Sequence, residues 1–459
     1  MIIAGNSFSV QQKPAKPMVW MVWVILLPMI DVATVAAQDK SAASTQEGNA
    51  ETTPPLPSLL EPRPVVETAT WNYPQEEGDS LALPKPGRAG AAPAAKGIPV
   101  GGVRIMPEVA LTSRWDDNIY KTATNLRADV MTQLKSVVKV LHKWAQNQAD
   151  LSYSATVRRY REVQSEDNVD QQLSINNKFS PSRLVDVELG YTHSLENDER
   201  GTPGKAATQF NAGTPTGPNT WLQNSFKETL RLKMRRLTSE LKLEQSDRTS
   251  QNNGQSNMDR QWFDNGLLFK WAVSPKTSLL LDMGRKETAY VHSPRMDSTE
   301  NRILTGVTWK GTAQTESQIK VGLNDKILAN DPGKSNTNAT WEAGIVWQPF
   351  SRTKVNLSSK RNAQDSEDSN ESFIATTYQA GVDHTLSSTW RLMLGWELIN
   401  NAYTTGKQED FTTGRVGMEY RLSNQFTLAT EVVNKIKTST VSGGGFDSHA
   451  IQLSLTGSM

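Results

Sequence analysis

The clearest strand of the chain reads RLMLGWEL over residues 391–398. Its even-numbered positions carry Leu, Leu, Trp and Leu, and its odd-numbered positions carry Arg, Met, Gly and Glu. Successive side chains of a β-strand point to opposite faces, so one face of this strand is apolar and the other is largely polar. The segment therefore predicts a strand that lies between an apolar medium and an aqueous one.

The same alternation returns along the chain, at residues 230–235, 319–324, 415–422 and 451–456. A glycine followed three residues later by a ring recurs with spacings of 40, 38, 37 and 36 residues. The glycines of these five units are Gly266, Gly306, Gly344, Gly381 and Gly417. A repeat of this length predicts one strand hairpin per unit, with the glycine on the polar face and the ring on the apolar face.

Short turns rich in Ser, Thr, Pro and Asn alternate with longer polar loops, which predicts about nine hairpins and about 18 strands. The strand segments run to about 10 to 14 residues, whereas strands of soluble proteins usually have roughly 5 to 6. We therefore predict an all-β fold, a transmembrane antiparallel up-and-down β-barrel, over residues 97–459. The alternative is a soluble sandwich in which the apolar faces pack against each other.

Aromatic residues are expected to form one girdle at each membrane interface. The girdle near the short turns contains Trp271, Trp309, Trp347 and Tyr420. A second girdle is predicted near the long loops, from Tyr160, Tyr191, Trp221, Trp262, Tyr290, Trp341, Tyr403 and Phe446. In the sandwich alternative these rings would instead fill a core.

The N-terminal residues are predicted to contribute no barrel strand. Two lysines, a 13-residue apolar run at 18–30 and small residues before Gln38 fit a signal peptide over residues 1–37. The alternative, a membrane-anchoring helix, needs roughly 20 apolar residues. Residues 38–96 are rich in Ala, Pro, Ser, Thr and Glu, which predicts a disordered periplasmic segment.

The residues after this segment carry a family resemblance. Residues 97–109 (GIPVGGVRIMPEV) and 115–120 (WDDNIY) resemble the opening of a family of outer-membrane β-barrel porins associated with exopolysaccharide or capsule biosynthesis and export. The resemblance implies an outer-membrane location, a role in moving polysaccharide or its fragments, and no catalytic residue. Polysaccharide and periplasmic export components are then the expected partners, besides outer-membrane lipid. The C-terminus departs from the usual pattern, because it ends in LTGSM without a terminal aromatic residue.

The polar strand faces supply the candidate residues of a water-filled lumen, where they would set solute selectivity. These candidates are Arg231, Lys233, Arg235, Lys320, Glu342, Arg391, Glu397, Arg415, Glu419 and Arg421. The alternative is a generic solvated wall in which single residues matter little. Only the group formed by Arg231, Lys233 and Arg235 is dense enough to suggest a positive strip.

Two loops have alternative interpretations. Asp116, Asp117 and Asn118 either turn the chain through local hydrogen bonds or hold Ca²⁺ or a sugar hydroxyl. The longest loop, at residues 196–219, either folds inward and narrows the pore or is a mobile surface loop.

Other kinds of site lack support in the sequence. The formal charge of +1 shows no basic footprint for nucleic acid, and without cysteine the chain forms neither disulfides nor thiolate metal sites. The five histidines are isolated, and no nucleophile elbow or phosphate-binding motif occurs, so we predict no metal, no cofactor and no enzyme activity. Three hypotheses follow: a channel for polysaccharide export, a general or solute-specific porin, and an outer-membrane enzyme built on the same barrel.

Overall fold

A computed structural model describes residues 97–205, 210–211, 214–312, 314–329, 335–366 and 371–459. The predicted signal peptide (1–37) and the predicted disordered segment (38–96) lie outside the described residues. Within the described ranges no helix is long and apolar enough to cross a membrane. The helical content there is three short 3₁₀ turns, at Gln164–Glu166, Gln255–Met258 and Pro294–Met296.

Strands make up most of the described chain. In chain order they are β1 (Ile98–Val100), β2 (Val103–Asp116), β3 (Asp129–Trp144), β4 (Asn147–Tyr160), β5 (Asn168–Ser182), β6 (Val185–Asn197), β7 (Phe210–Asn211), β8 (Thr214–Pro215), β9 (Thr220–Lys233), β10 (Leu237–Ser250), β11 (Arg260–Ala272), β12 (Thr277–Tyr290), β13 (Ser298–Thr312), β14 (Thr315–Leu328), β15 (Ser335–Phe350), β16 (Thr353–Asp365), β17 (Ser372–Thr385), β18 (Trp390–Tyr403), β19 (Gln408–Arg421), β20 (Phe426–Ser439) and β21 (Phe446–Ser458).

Eighteen of these strands, β2–β6 and β9–β21, form one closed antiparallel barrel. Each pairs with its neighbours in the chain, and β2 pairs with β21 from Glu108 opposite Ser458 to Asp116 opposite Ala450. This closure leaves no open edge in the barrel. The short strand β1 folds back on β2, while β7 and β8 pair with each other in the loop between β6 and β9. The predicted fold class is therefore confirmed, as is the number of strands.

The two faces of the wall differ as the alternation predicts. On β18, Leu394 and Trp396 are 40% and 45% exposed on the outside, whereas Glu397 points inward and is 5% exposed. The same register carries large apolar side chains to the outer surface of almost every barrel strand. An outer surface of this kind suits contact with lipid, and a polar interior suits water.

The barrel has a turn end and a loop end. The strand hairpins close through short turns at the turn end, where both ends of the barrel chain also lie. The longer connections, including residues 117–128 and the described part of the loop between β6 and β9, lie at the loop end. In outer-membrane barrels the short turns are periplasmic and the longer loops extracellular.

The repeat glycines face the lumen, and one of them, Gly306, allows close approach of the neighbouring strand, as does the inward-facing Gly322 of β14. A Cβ atom on Gly306 would clash with the carbonyl oxygen of Ile319, and one on Gly322 would clash with that of Ile303. These two positions on β13 and β14 therefore require glycine for a steric reason.

The predicted aromatic girdle at the loop end is wrong for six of its eight members. Tyr160, Trp221, Trp262, Tyr290, Tyr403 and Phe446 fall on the inward face of their strands, and all but Tyr160 are at most 9% exposed. Tyr191 and Trp341 point outward as predicted. Proximity to a loop indicates the depth of a ring along its strand, whereas residue parity within the register decides which face the ring occupies.

These inward rings form part of a packed region inside the loop end of the barrel. Phe373 is 1% exposed and packs on Tyr403, with their ring centroids 4.9 Å apart. Every buried ring of the described chain lies at this end. The interior of the barrel is therefore protein-like at the loop end, and this packing positions the candidate site.

Candidate functional site

A segment of the longest loop enters the lumen at the loop end. We call Asp198–Lys205 the crossing segment; it begins where β6 ends. Gly201 lies against Lys121 and Phe446, and Gly204 lies against Phe373 of β17. Strand β17 is nine strands away from β6 in a ring of 18, so the crossing segment reaches the opposite wall. Of the two alternatives for this loop, its described residues follow the inward path.

Backbone conformation allows these close contacts. Gly201 and Gly204 have φ angles of +71° and +74°, which side chains other than glycine adopt at a cost. A Cβ atom on either would also lie within 3.0 Å of a ring carbon. Both glycines therefore fit the segment to the aromatic side chains below it.

Ion pairs anchor the start of the crossing segment to the wall. The Asp198 carboxylate accepts a hydrogen bond from Trp221 Nε1 at 2.9 Å and lies 3.5 Å from Arg248 Nη2. The Arg248 guanidinium stacks 4.0 Å above the Trp221 ring. Arg200 donates from Nη2 and Nε to the Glu166 carboxylate at 2.8 and 3.1 Å. Because Trp221, Arg248 and Glu166 are nearly fully buried, these bonds act in a region of low effective dielectric.

The crossing segment and the wall enclose a chamber of about 820 Å³. It is lined by ten consecutive strands of the wall, β19–β21, β2–β6, β9 and β10, of which β19, β20 and β21 contribute one residue each. Eight Lys or Arg side chains and eight Asp or Glu side chains line it, so its formal charge balances. Such a chamber suits a polar solute that exchanges hydrogen bonds with both signs of charge.

One face of the chamber presents basic groups to the crossing segment. Arg114 of β2 lies 3.9 Å from Glu199 through Nη1 and 3.1 Å from Asp116 through Nη2. Lys121 donates to both Asp116 carboxylate oxygens, at 2.9 and 2.6 Å. Burial lowers the pKa of the Lys121 ammonium, and the Asp116 carboxylate opposes that shift.

The Asp116-Asp117-Asn118 motif joins the first barrel strand to the last. Asp117 Oδ1 accepts the backbone N–H of His449 at 2.7 Å, and Asp117 Oδ2 lies 2.9 Å from His449 Nδ1. Asn118 is fully buried and donates from Nδ2 to the carbonyls of Thr122 and Asp447. The motif thus forms local turn bonds and fastens the β2–β21 seam. Across the described residues, no cluster of His, Asp and Glu suited to a metal ion occurs.

Most sequence-predicted lumen residues sit in ion pairs or hydrogen bonds on the inner wall. Lys320 lies 2.7 Å from Asp282 and 2.5 Å from Glu342. Arg391 bridges Asp383 and Glu419 at 3.2 and 3.5 Å.

The remaining predicted lumen residues have weaker or different partners. Arg415 lies 3.8 Å from Glu431. Glu397 accepts a hydrogen bond from Gln379, and Arg421 donates to the carbonyl of Ser388.

The group predicted as a positive strip is surrounded by carboxylates. Arg231 donates from Nε to Glu240 at 2.9 Å and lies 3.2 Å from Glu188, while Lys233 pairs with Asp186. Arg235 lies beyond the end of β9, in the turn, and does not belong to the strand face on which the sequence analysis placed it. The wall here carries compensated charge.

The predicted girdle residues near the short turns point outward. Trp271, Trp309 and Trp347 are 51%, 50% and 48% exposed. Tyr420 packs against Trp390 with ring centroids 4.5 Å apart. These residues therefore lie on the apolar surface, and their role in an interfacial girdle stays a prediction.

Sequence reasoning missed the residues that build the chamber around the crossing segment, chiefly Arg114, Glu199, Arg200 and Arg248. The available signal was the pair Gly201 and Gly204 within a long loop, since glycines permit close approach to another surface. Nothing in the sequence shows which wall such a loop contacts.

Comparison with known proteins identifies one family. A family model described as "Putative beta-barrel porin 2" matches residues 92–459. A search of the curated proteins gave no match.

Several solved structures resemble the chain at low identity. OccK2 (OpdF) of Pseudomonas aeruginosa is 9% identical with a TM-score of 0.47, covering 77% of this chain and 98% of that one. OpdK of Pseudomonas aeruginosa with vanillate is 9% identical with a TM-score of 0.45 and the same coverage. The FrpB iron transporter of Neisseria meningitidis is 11% identical with a TM-score of 0.42, covering 72% and 62%. None of these values supports an inference about solutes.

Proposed function

We propose, because the chain belongs to the β-barrel porin family whose model it matches, that this outer-membrane channel passes small hydrophilic solutes. Members of a porin family act as channels rather than as enzymes. The proposal therefore concerns the size and the polarity of the solute that passes through the channel. The observation that supports small solutes is the crossing segment, which spans the lumen from the end of β6 to Phe373 on the opposite wall.

The chamber beside the crossing segment supports a size limit. Its volume of about 820 Å³ lies within the roughly 300–1,000 Å³ of small-molecule sites. Its lining offers charges of both signs and hydroxyl and amide groups, but few apolar side chains. Sugars, small acids and similar polar solutes match that lining.

Export of exopolysaccharide, which the sequence resemblance implies, is the second candidate. The family description supports a porin and gives no support for export. A hydrated polymer would also need the crossing segment to leave the lumen, which requires breaking the buried contacts of Asp198 and Arg200. The geometry therefore favours small solutes.

Reconstitution of the full-length chain tests this proposal. Planar bilayers should show discrete KCl conductance steps. Proteoliposome swelling should be fast with a monosaccharide, slower with a trisaccharide and absent with a dextran. Swelling that is equally fast with dextran would contradict the size limit, and absence of any conductance would contradict the channel itself. Loss of secreted polysaccharide on gene deletion, with sugar uptake unchanged, would favour export instead.

A further inference from the structure

Glu199 carries the carboxylate that the crossing segment places against the basic face of the chamber. Its Oε1 atom is 3.9 Å from Arg114 Nη1, and the side chain is 45% exposed. Because Glu199 also lines the chamber, a solute there can approach the same guanidinium. The contact is therefore solvated and exchangeable.

Behind this contact lies a group of four cations on β2, β19, β20 and the loop after β2. These four, which we call the basic cluster, are Arg114, Lys121, Arg415 and Lys435. Lys435 interacts electrostatically with each of the other three and with Glu199. Ser448 connects them further, because it faces Lys435 across the β20–β21 pair and hydrogen-bonds to Lys121 and Asp116.

The basic cluster has more cations than the neighbouring wall has carboxylates to pair with them. Asp116 is shared by Lys121 and Arg114, while Glu431 lies 3.8 Å from Arg415 and also accepts a hydrogen bond from Gln452. Four cations thus face two wall carboxylates, and Glu199 is the third carboxylate, delivered by the crossing segment. Without it the cluster has a surplus of two positive charges.

Unused donors in the cluster point to an anion as well. Arg114 Nε and Arg415 Nε are buried without a hydrogen-bond partner. The Lys435 side chain is 9% exposed, and its ammonium has neither a hydrogen bond nor an ion pair with any residue that the structure describes. Buried donors and charges without partners are unfavourable, so an additional acceptor is stabilised here.

We propose that Arg114, Arg415 and Lys435 form an anion-binding site, now faced by Glu199, in which a carboxylate or phosphate group of a solute replaces the Glu199 carboxylate. The proposal rests on the proposed function, because the solute reaches the site through the lumen. It also goes beyond the proposed function, since replacement of Glu199 removes one of the contacts that hold the crossing segment against this wall. An anionic solute would then loosen the segment that narrows its path.

Binding to the detergent-solubilised full-length chain tests the site without requiring conduction. Glu199→Gln keeps the size of the side chain and removes the competing charge. Calorimetric titration with inorganic phosphate, and separately with acetate, should show at least about tenfold tighter binding to Glu199→Gln than to the unmodified chain, since about 1.4 kcal/mol corresponds to a factor of ten. The double variant Glu199→Gln/Lys435→Gln should lose that gain. Binding of either anion supports the site, and preference for one identifies the group.

Glu162→Gln is the matched control, because Glu162 is an exposed loop acid paired with Arg127 outside the basic cluster. It should bind both anions like the unmodified chain. A heat-dependent gel shift checks that each variant remains a folded barrel. Equal binding by Glu199→Gln and Glu162→Gln, or a gain that survives Lys435→Gln, would overturn the site. If either result occurs while the unmodified chain conducts KCl normally, the anion site is wrong and the channel function stands. If the unmodified chain conducts no KCl, the channel function is wrong, and the binding result still decides the anion site.

Discussion

At the loop end of the lumen the side chains of Arg248 and Glu166 are each 3% exposed, whereas at the turn end those of Lys139 and Lys310 are 44% and 41% exposed. Arg248, Lys139 and Lys310 lie on the inner face of one continuous wall, and Glu166 lies in the 3₁₀ turn between β4 and β5. The two loop-end residues have close ion-pair or ring partners, and the two turn-end residues have carboxylates 3.9 to 4.0 Å away.

The difference teaches that inward direction alone does not define a water-filled pore. The loop-side half of the lumen is built like a protein interior, with rings, paired charges and a crossing segment. The turn-side half is built like a solvated surface. Charges in the first half should therefore govern stability and the shape of the path, while charges in the second half should act mainly through their field.

The two halves of the lumen should differ most in how much the free energy of unfolding falls when an inward cation is removed. Lys326 is 7% exposed and pairs with Asp365, which also hydrogen-bonds to Ser372. Lys326→Met leaves that carboxylate without its main counter-charge and should lower the free energy of unfolding by about 3 kcal/mol. Urea unfolding of the detergent-embedded barrel measures the change.

Lys310→Met on the neighbouring strand is the matched control. Lys310 is 41% exposed and lies 3.9 Å from Glu316, so its loss should change the free energy of unfolding by less than about 0.5 kcal/mol. Equal losses for the two variants would show that both halves are equally solvated.

The seam should be the next most sensitive place. Asn118→Ala removes the amide that bonds the carbonyls of Thr122 and Asp447, and should cost about 2 kcal/mol of unfolding free energy. The control is Thr124→Ala, an exposed position in the same loop that does not have a positive φ angle. The urea midpoints of the two variants should separate clearly. Coincident midpoints would mean that the motif does not fasten the barrel.

Much of the wall was predictable from the sequence because alternation reports local geometry. The period of two over residues 391–398 and its repeats indicated the all-β class, and the alternation of short turns with longer loops gave the number of strands. A closed barrel follows because the apolar faces need lipid. The parity of Lys320 and Glu342 gave their inward direction in the same way. Each of these inferences uses residues that are close in the sequence.

The path of the crossing segment and the direction of the loop-end rings could not be predicted, because they depend on contacts across the barrel. The pairing of Gly204 with Phe373, or of Glu199 with Arg114, joins residues far apart in the chain, and no local pattern encodes it. The prediction for the six loop-end rings was wrong for a related reason, since Tyr403 packs on Phe373 and Phe446 lies against Gly201 of the crossing segment rather than against lipid. Arg235 differs because the strand ends at Lys233.

Gly204 tests whether the crossing segment narrows the lumen. Gly204→Val introduces a branched side chain at a φ of +74° and against Phe373, at a cost of about 1–2 kcal/mol from the backbone alone. The segment should leave the opposite wall, and single-channel conductance in KCl should rise about two- to threefold, an increase that needs less than about 1 kcal/mol.

Gly443→Val provides the same backbone strain without the contact, because Gly443 has a φ of +75° and open space around its Cβ position. Its conductance should match that of the unmodified chain. A rise in both variants would attribute the effect to general loosening of the loops.

The smallest effect is expected in the turn-side half, where a single charge acts through water. Lys139→Gln removes a cation that lies 4.0 Å from Asp150, so the free energy of unfolding should change by less than about 0.5 kcal/mol. The lumen should nevertheless become slightly less favourable to anions, because inward charges set the local potential. The reversal potential across a KCl gradient should shift by a few millivolts toward the equilibrium potential of K⁺.

Arg159→Gln is the matched control. It removes the same charge from the outward face of β4, where the side chain is 61% exposed, and should leave the reversal potential unchanged. Equal shifts in the two variants would mean that total charge, rather than position on the inner wall, governs selectivity.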